Sequence, residues 1–184
     1  DGSYYYTFDE EGRHLFTKQL LTGTTVWTFG YDSNGRLSSL RDRMGQVTTI
    51  EHDIDGNITG IVTPNNSRTE ITTDSNGLIS SVTSPTSKTY NMVYEQTDLL
   101  TFLRDPANNE HSYEYNDDGR LVADTRPNSG TISLARSGNS QNYTVTKTSP
   151  EGRVTTYSFI TDSANNGGIK TISYSDGSQV TMQY

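Results

Sequence analysis

The segment Tyr31–Leu37 reads YDSNGRL and places an Asn-Gly pair between an aromatic residue and a leucine. Asn-Gly supplies the positive φ angles that tight hairpin turns require. Divergent copies of the segment stand in register with a step of 21 residues, at His52–Ile58, Thr73–Ile79 and Tyr115–Leu121. A turn that recurs at a fixed spacing indicates a repeat architecture before it indicates any chemistry.

Glycines and prolines carry the same period along the chain. Steps of 21 residues from Gly35 reach, in order, Gly56, Gly77, Asp98, Gly119 and Ser140. The same step from the first proline connects the others, which are Pro64, Pro85, Pro106, Pro127 and, 23 residues further on, Pro150. All five prolines therefore occupy one position of one repeat, and this regularity identifies the repeat.

Each repeat contains two turn signals about ten residues apart. The first is Asp-x-x-Gly, as in Asp32–Gly35, and the second contains proline, as in Asp105–Asn108, where proline presets φ for the first corner. The segments between turns are rich in Val, Ile, Thr and Tyr, and their length is that of strands. Each repeat is therefore predicted to be a β-hairpin, with Tyr113 and Tyr115 on one face of a strand and Leu121 packed across from them.

The predicted fold class is all-β, with about eight antiparallel β-hairpins that form one long curved sheet. A parallel β-helix is the alternative, because its rungs also contain roughly 20-odd residues. A propeller fits less well, because a four-stranded blade would need two repeats. No segment keeps a helical apolar period for three turns, so helices are not expected. Residues 1–184 are expected to form a single array, with an irregular insertion at residues 160–170.

The composition suits a sheet and excludes several classes of partner. Only 30% of the 184 residues are hydrophobic, there is no cysteine, and the formal net charge is −8. A sheet with one wet face tolerates this polarity, whereas a two-layer globule needs more apolar residues. The negative charge argues against nucleic acid and anionic membrane surfaces as partners. No apolar run approaches the roughly 18 residues of a membrane span, so no membrane insertion is expected within this segment.

The repeat resembles the YD, or RHS, repeat family, whose pattern is approximately Tyr-x-Tyr-Asp-x-x-Gly-Arg-Leu followed by Asp-Pro-x-Gly. The matching residues of the two best copies are Tyr31, Asp32, Gly35, Arg36 and Leu37, and Tyr113, Tyr115, Gly119, Arg120 and Leu121. The opening segments Phe8–Leu15 and Leu21–Gly23 also resemble the start of a teneurin-type shell. The resemblance covers nearly the whole chain.

This resemblance implies a function as well as a fold. Bacterial members of the family are toxin-delivery proteins whose hairpins spiral into a hollow shell around a C-terminal toxin domain, and animal members use a similar shell in cell adhesion. The chain would then be a structural segment of such a shell in a secreted or cell-surface protein. Its partners would be the rest of its own shell and the enclosed C-terminal domain. The family's self-cleaving segment has no match here, so no catalytic residue and no cofactor are expected.

The candidate site residues are therefore structural. The residues expected to build the repeat are Tyr31, Asp32, Gly35, Arg36, Leu37, Gly56, Pro64, Gly77, Pro85, Pro106, Tyr113, Tyr115, Gly119, Arg120, Leu121, Pro127, Pro150 and Gly152. The acidic turn Asp53–Asn57 is interpreted as a hydrogen-bonded turn, because Ile58 and Pro64 stand where a helical calcium loop needs glycine and glutamate. No metal site is predicted.

An adhesion module that binds a glycan or a cell-surface protein is the alternative function. Tyr113 and Tyr115 are the candidate glycan-stacking residues, although the same side chains are also the packing material of the repeat. The final segment Gly177–Tyr184 matches strands that precede a Tyr-Asp turn, and half of that hairpin is expected to be missing. An unpaired edge strand is a template for another chain, so self-association through edge strands is also expected.

Overall fold

The computed structural model describes residues 3–95, 98–128, 130–162 and 167–183, and within these residues every regular element is a β-strand. The strands are β1 Tyr4–Phe8, β2 His14–Gln19, β3 Thr25–Tyr31, β4 Leu37–Asp42, β5 Val47–His52, β6 Ile58–Val62, β7 Arg68–Thr73, β8 Ile79–Thr83, β9 Thr89–Glu95, β10 Leu99–Arg104, β11 Glu110–Tyr115, β12 Leu121–Arg126, β13 Gly130–Gly138, β14 Asn142–Thr148, β15 Val154–Asp162, β16 Gly167–Ser173 and β17 Gln179–Gln183. No helix among the described residues has the length and apolar character to cross a membrane.

The chain divides into two compact units, Asp1–Asn91 and Met92–Tyr184. In the first unit each strand from β1 to β8 pairs antiparallel with the strand that follows it. In the second unit the same holds from β10 to β17. The predicted array of antiparallel hairpins is therefore confirmed, and the parallel β-helix is wrong because its rungs would pair parallel.

The two sides of the sheet differ in composition within each unit, because directly paired residues of antiparallel strands share a face. In the first unit one face carries Trp27, Phe29 and Tyr31, with Phe29 paired to Leu40 and Tyr31 to Leu37. The opposite face of this unit is rich in threonine and serine. In the second unit one face carries Tyr143 and Phe159, which pair with each other, and its other face is rich in threonine and serine. Within each unit we call these two sides the aromatic face and the threonine face. Hydroxyl pairs follow the threonine face, at Thr83–Thr89, Thr125–Thr131 and Thr171–Thr181.

The described residues of neither unit form a closed hydrophobic core. Among the described residues only two hydrophobic side chains are buried, Ile71 and Ala123, at 7% and 9% exposure. Large side chains of the aromatic face stay partly open to solvent, including Tyr6, Phe8 and Trp27. Both faces of a single layer of strands remain in contact with solvent, so the sheet needs few apolar residues. A chain with only 30% hydrophobic residues can therefore form this regular structure.

Strands β15 and β16 occupy most of the segment that was expected to be an irregular insertion, residues 160–170. Ile160 pairs with Ile169 and Phe159 with Lys170, in a ladder that continues to Asp162 and Gly167. Residues 163–166 lie outside the described residues. The additional length is thus taken up by two strands of nine and seven residues, which the repeat pattern did not indicate.

Candidate functional site

The Asp-x-x-Gly turn is held by one side chain as much as by the backbone. The N–H of Gly35 donates to the carbonyl oxygen of Asp32 at 3.0 Å, and the N–H of Asp32 donates to the carbonyl oxygen of Arg36 at 2.9 Å. Oδ1 of Asp32 accepts the N–H groups of Asn34 and Arg36, both at 2.9 Å. Gly35 has φ of 78°, so one left-handed residue ends a three-residue loop.

The proline-containing turn has the same geometry. The N–H of Asn108 donates to the carbonyl oxygen of Asp105, and the N–H of Asp105 donates to that of Asn109, both at 3.0 Å. Asn108 has φ of 62° and occupies the left-handed position that Gly35 occupies in the other turn. The same position is held by Asn66 and Ser87 in the turns of Pro64 and Pro85, and by Gly152 in the turn of Pro150. Asparagine and serine are accepted there because short polar side chains tolerate a left-handed conformation better than bulky ones. The two turn signals of the sequence therefore encode one turn structure.

Hydrogen bonds to the turn carboxylates lower their pKa and so favour the ionised form. The backbone N–H of Arg36, and next its guanidinium group, lower the pKa of Asp32 against the opposing effect of partial burial. The side chain and backbone amide of Asn57 lower the pKa of Asp53 in the same way. An acceptor that receives several N–H groups is stabilised as the anion. These carboxylates therefore stabilise the turns by accepting hydrogen bonds, as was expected for the turn Asp53–Asn57.

Successive Asp-x-x-Gly turns of the first unit touch one another. The guanidinium group of Arg13 pairs with Asp9 of its own turn at 2.6 Å and lies 5.4 Å from the ring centroid of Tyr31. Its Nη1 would be 3.3 Å from a Cβ atom added at Gly35, and a Cβ added at Gly56 would collide with the guanidinium group of Arg36. We call this series the turn stack. At Gly35 and Gly56 the absence of a Cβ atom thus leaves room for the arginine of the preceding turn, in addition to permitting positive φ.

A second contact between hairpins is made by tyrosine hydroxyl groups. Tyr31 Oη donates to the carbonyl oxygen of His14, and Tyr115 Oη donates to that of Leu100, both at 2.9 Å. The acceptors are equivalent in the repeat, because His14 stands five residues after Asp9 and Leu100 stands five residues after Glu95, which holds the aspartate position of its repeat. Each tyrosine thus binds the hairpin that precedes its own. We call this contact the tyrosine clasp.

The remaining residues assigned to the repeat lie in turns or beside them. Gly56, Gly77, Gly119 and Gly152 have positive φ, as expected for turn glycines. The prolines also lie in turns, Gly152 sharing the turn of Pro150, and they are Pro64, Pro85, Pro106, Pro127 and Pro150. Asp98 has φ of 57°, so aspartate takes the left-handed position where the sequence lacks glycine. Leu121 pairs with Tyr115 across a β-bulge.

The two candidate glycan-stacking residues both make contacts within the repeat. Tyr113 is half-buried, lies 6.4 Å from the ring of His111 at 15°, and pairs across the strands with Asp124. Partial burial, and next the charge of Asp124, raise the pKa of Tyr113. Tyr115 makes the tyrosine clasp. Within the described residues no three His, Asp or Glu side chains are grouped so that they could hold a metal ion.

One group of residues was missed by the sequence reasoning. Arg136 lies over the ring of Tyr143 at 4.2 Å, Tyr143 stacks on Phe159 at 4.6 Å, and Lys170 lies 5.5 Å from the ring of Phe159. These residues come from four adjacent strands, β13 to β16. They are far apart in sequence and form no basic run, so only the strand register brings them together.

The turn stack and the tyrosine clasp define a class of protein, an antiparallel β-hairpin repeat in which side-chain contacts join successive hairpins in addition to strand pairing. The chain belongs to the teneurin YD-shell family, whose sequence profile matches residues 2–184. It is a structural segment of such a shell. None of the curated proteins matches the chain.

Two solved structures have a similar fold. One is the crystal structure of TcdB2-TccC3 without its hypervariable C-terminal region, with a TM-score of 0.59 and 13% sequence identity over 95% of this chain and 11% of the other. The second is the crystal structure of TcdB2-TccC3, with a TM-score of 0.58 and 13% identity over 95% of this chain and 12% of the other. This chain therefore spans about a ninth of the length of the chains it matches.

Proposed function

We propose that this chain is a section of the wall of a YD shell in an exported or cell-surface protein, that the shell encloses a domain C-terminal to the repeats, and that the wall has no catalytic role. The tyrosine clasp is the observation that supports this function best, because it bonds each clasped hairpin to its predecessor. Such bonds suit a wall that must stay continuous, since a single sheet layer has little core to stabilise it.

The exposed apolar side chains of the aromatic faces support the proposal that the shell encloses another domain. The aromatic face of each unit keeps large side chains partly exposed, among them Trp27 in the first and Met182 in the second. An apolar surface of this kind favours contact with another protein surface. One of the similar crystal structures is of TcdB2-TccC3 without a hypervariable C-terminal region, which supports a separate domain after the repeats in this protein as well.

Limited proteolysis of the intact protein that contains this segment tests the proposal. The region C-terminal to the repeats is expected to resist a non-specific protease in the parent protein. It is expected to be digested faster in the double variant Tyr31→Phe, Tyr115→Phe, which lacks both described clasps. Equal digestion rates in the parent protein and in a form truncated to the C-terminal region alone would contradict enclosure.

A glycan array distinguishes the alternative function, an adhesion module, from the proposed shell wall. If the chain is only a shell wall, no glycan on the array is expected to bind the chain in a way that the Tyr113→Ala variant abolishes. A glycan that binds the chain, and is lost in Tyr113→Ala while the circular dichroism spectrum is unchanged, would identify the adhesion module instead. A coat of immobilised cell-surface proteins gives the corresponding test for a protein receptor.

A further inference from the structure

The strongest unexplained feature is the cluster of cations and rings on the aromatic face of the second unit. Tyr143 pairs with Phe159, and Phe159 with Lys170, so these side chains form a row across three strands. Arg136 and Lys147 lie on the same face, paired with Val145 and Leu134 respectively. We call these residues, Arg136, Tyr143, Lys147, Phe159 and Lys170, the basic-aromatic patch.

The cations of the patch differ from the other cations of the same unit. Four arginines of the second unit pair with a carboxylate close in sequence, and they are Arg104, Arg120, Arg126 and Arg153. Among the described side chains of the second unit, no such ion pair involves Arg136, Lys147 or Lys170, although Nη2 of Arg136 donates to the carbonyl oxygen of Asn139 at 3.0 Å. In a chain with a net charge of −8, carboxylates are abundant. Three cations that share one face without a carboxylate partner are therefore an unneutralised positive site.

The geometry of the rings excludes sugar stacking as the main mode of recognition. One face of Tyr143 is covered by Arg136 at 4.2 Å, while the ring also stacks on Phe159 at 4.6 Å. Lys170 lies 5.5 Å from Phe159 and 5.9 Å from Tyr157. Arg136 and Lys170 are held on the rings by cation–π attraction, and this leaves their charge uncancelled. A ligand would meet charged N–H groups set on an apolar surface.

The spacing of the cations fits an extended polypeptide. Arg136 on β13 and Lys170 on β16 are three strand spacings apart, about 14 Å at roughly 4.8 Å per spacing. Four residues of extended chain span about the same length. A segment with carboxylates four residues apart could therefore reach both cations, and an apolar side chain between them would lie over the row formed by Tyr143 and Phe159.

We propose that the basic-aromatic patch binds an acidic polypeptide segment of the type Glu-x-x-x-Glu with an apolar residue between the two glutamates. Charge complementarity selects the carboxylates, and the rings supply apolar contact to the middle of the segment. The occupant is a segment of a separate partner polypeptide, so the proposal does not depend on whether the shell encloses a C-terminal domain.

A binding assay with the 184-residue chain and a fluorescein-labelled peptide tests this proposal. The probe has the sequence Gly-Glu-Ala-Leu-Ala-Glu-Gly, and its matched control carries glutamine in place of both glutamates. Fluorescence polarisation is expected to show binding of the acidic peptide that is at least about tenfold tighter than that of the glutamine peptide and that weakens with added salt. Equal binding of the two peptides, or none, would overturn the proposal without any protein variant.

Protein variants then locate the site. The double variant Arg136→Gln, Lys170→Gln is expected to lose about tenfold or more in affinity for the acidic peptide. The control Arg41→Gln, Lys88→Gln removes two exposed cations of the first unit that have no described ion pair, and it is expected to bind as the parent chain does. An equal loss in both variants would show only a general charge effect and would overturn the site. Tighter binding of hyaluronate, a carboxylated glycan, than of the peptide would also overturn it.

Discussion

The hydroxyl group of Tyr31 donates a hydrogen bond of 2.9 Å to the carbonyl oxygen of His14, a residue of the preceding hairpin. Tyr115 makes the same bond to Leu100. The Tyr-Asp pair that names the repeat thus has two separate tasks. The aspartate binds the backbone of its own turn, and the tyrosine binds the hairpin before it. Where the repeat carries His52 or Thr73 instead of tyrosine, the phenolic hydroxyl that makes this bond is absent.

Removing one clasp should destabilise the sheet by the value of a single hydrogen bond. Tyr115→Phe leaves the ring in place and removes the donor, so the free energy of unfolding is expected to fall by about 1 kcal/mol. Tyr113→Phe is the matched control, because its hydroxyl group has no described hydrogen bond, and it should cost less. Urea denaturation followed by circular dichroism measures both. A cost for Tyr113→Phe equal to that for Tyr115→Phe would contradict the clasp.

The stability cost of adding a Cβ atom in the turn stack should be measurable separately from the cost of backbone strain at positive φ. Gly45 has φ of 83° with no atom within 4 Å of an added Cβ, whereas Gly56 has φ of 97° and faces the guanidinium group of Arg36. Gly45→Ala is expected to cost about 1 kcal/mol from backbone strain alone. Gly56→Ala should cost more, because Arg36 must also move. If thermal unfolding ranks the two variants in the reverse order, the stack does not form as described.

Because of the turn carboxylates, the free energy of unfolding should depend on pH in the acid range. The pKa of Asp32 is lowered below its ordinary 3.8 by the N–H and guanidinium groups of Arg36. A carboxylate with a lowered pKa in the folded state binds protons more weakly there than in the unfolded chain. Its contribution is therefore fully present above the unfolded pKa and is lost as pH falls through the folded pKa. Stability should thus be constant near neutral pH and decline below about pH 4.

The variant Asp32→Asn tests this origin of the acid response. Asparagine keeps the acceptor oxygen, and Asn116 shows the arrangement naturally, with Oδ1 accepting the N–H of Asp118 at 3.1 Å and of Arg120 at 3.0 Å. The variant is expected to be less stable than the parent at neutral pH and to lose less on acidification. Urea midpoints measured from neutral pH to pH about 2 would show the two curves converge. Parallel curves would assign the acid response to other groups.

Exposed edge strands should promote association between copies. In β17, all five residues are exposed, and Val180 and Met182 are among them. An edge strand with apolar side chains pairs readily with another chain, and a charged side chain prevents this pairing. Light scattering over a concentration series is expected to show association that Val180→Lys reduces. Met44→Lys, in an exposed turn, should not reduce it. A monomer at every concentration would contradict edge pairing.

The sequence alone predicted the parts of this protein that repeat. Gly35, Gly56 and Gly77 recur at a fixed step because a left-handed turn position accepts few residues, and that restriction is local. Strand composition between the turns is local as well. The hairpins follow from residues within one repeat, and the period and the family resemblance follow from comparing the repeats along the chain. Consensus residues of the repeat such as Arg36 could therefore be assigned from the sequence.

Contacts between repeats needed the tertiary structure. The hydroxyl group of Tyr31 reaches a backbone carbonyl, which every residue possesses, so no side-chain pattern marks His14 as its partner. The same holds for Arg36, whose partner Gly56 is marked as a turn residue but not as a contact. Strands β15 and β16 extend into residues 160–170, where the repeat pattern fails and the sequence suggested an insertion.

The basic-aromatic patch shows most clearly that contacts between strands are not marked in the sequence. Arg136, Tyr143, Phe159 and Lys170 are unremarkable in sequence, and they meet because β13 to β16 pair in one particular register. A shift of one residue in any of these strands would move its side chain to the threonine face, since side chains alternate along a strand. Turn chemistry is encoded by neighbouring residues and could be predicted, whereas register between strands is set by long-range pairing and only the folded structure decides it.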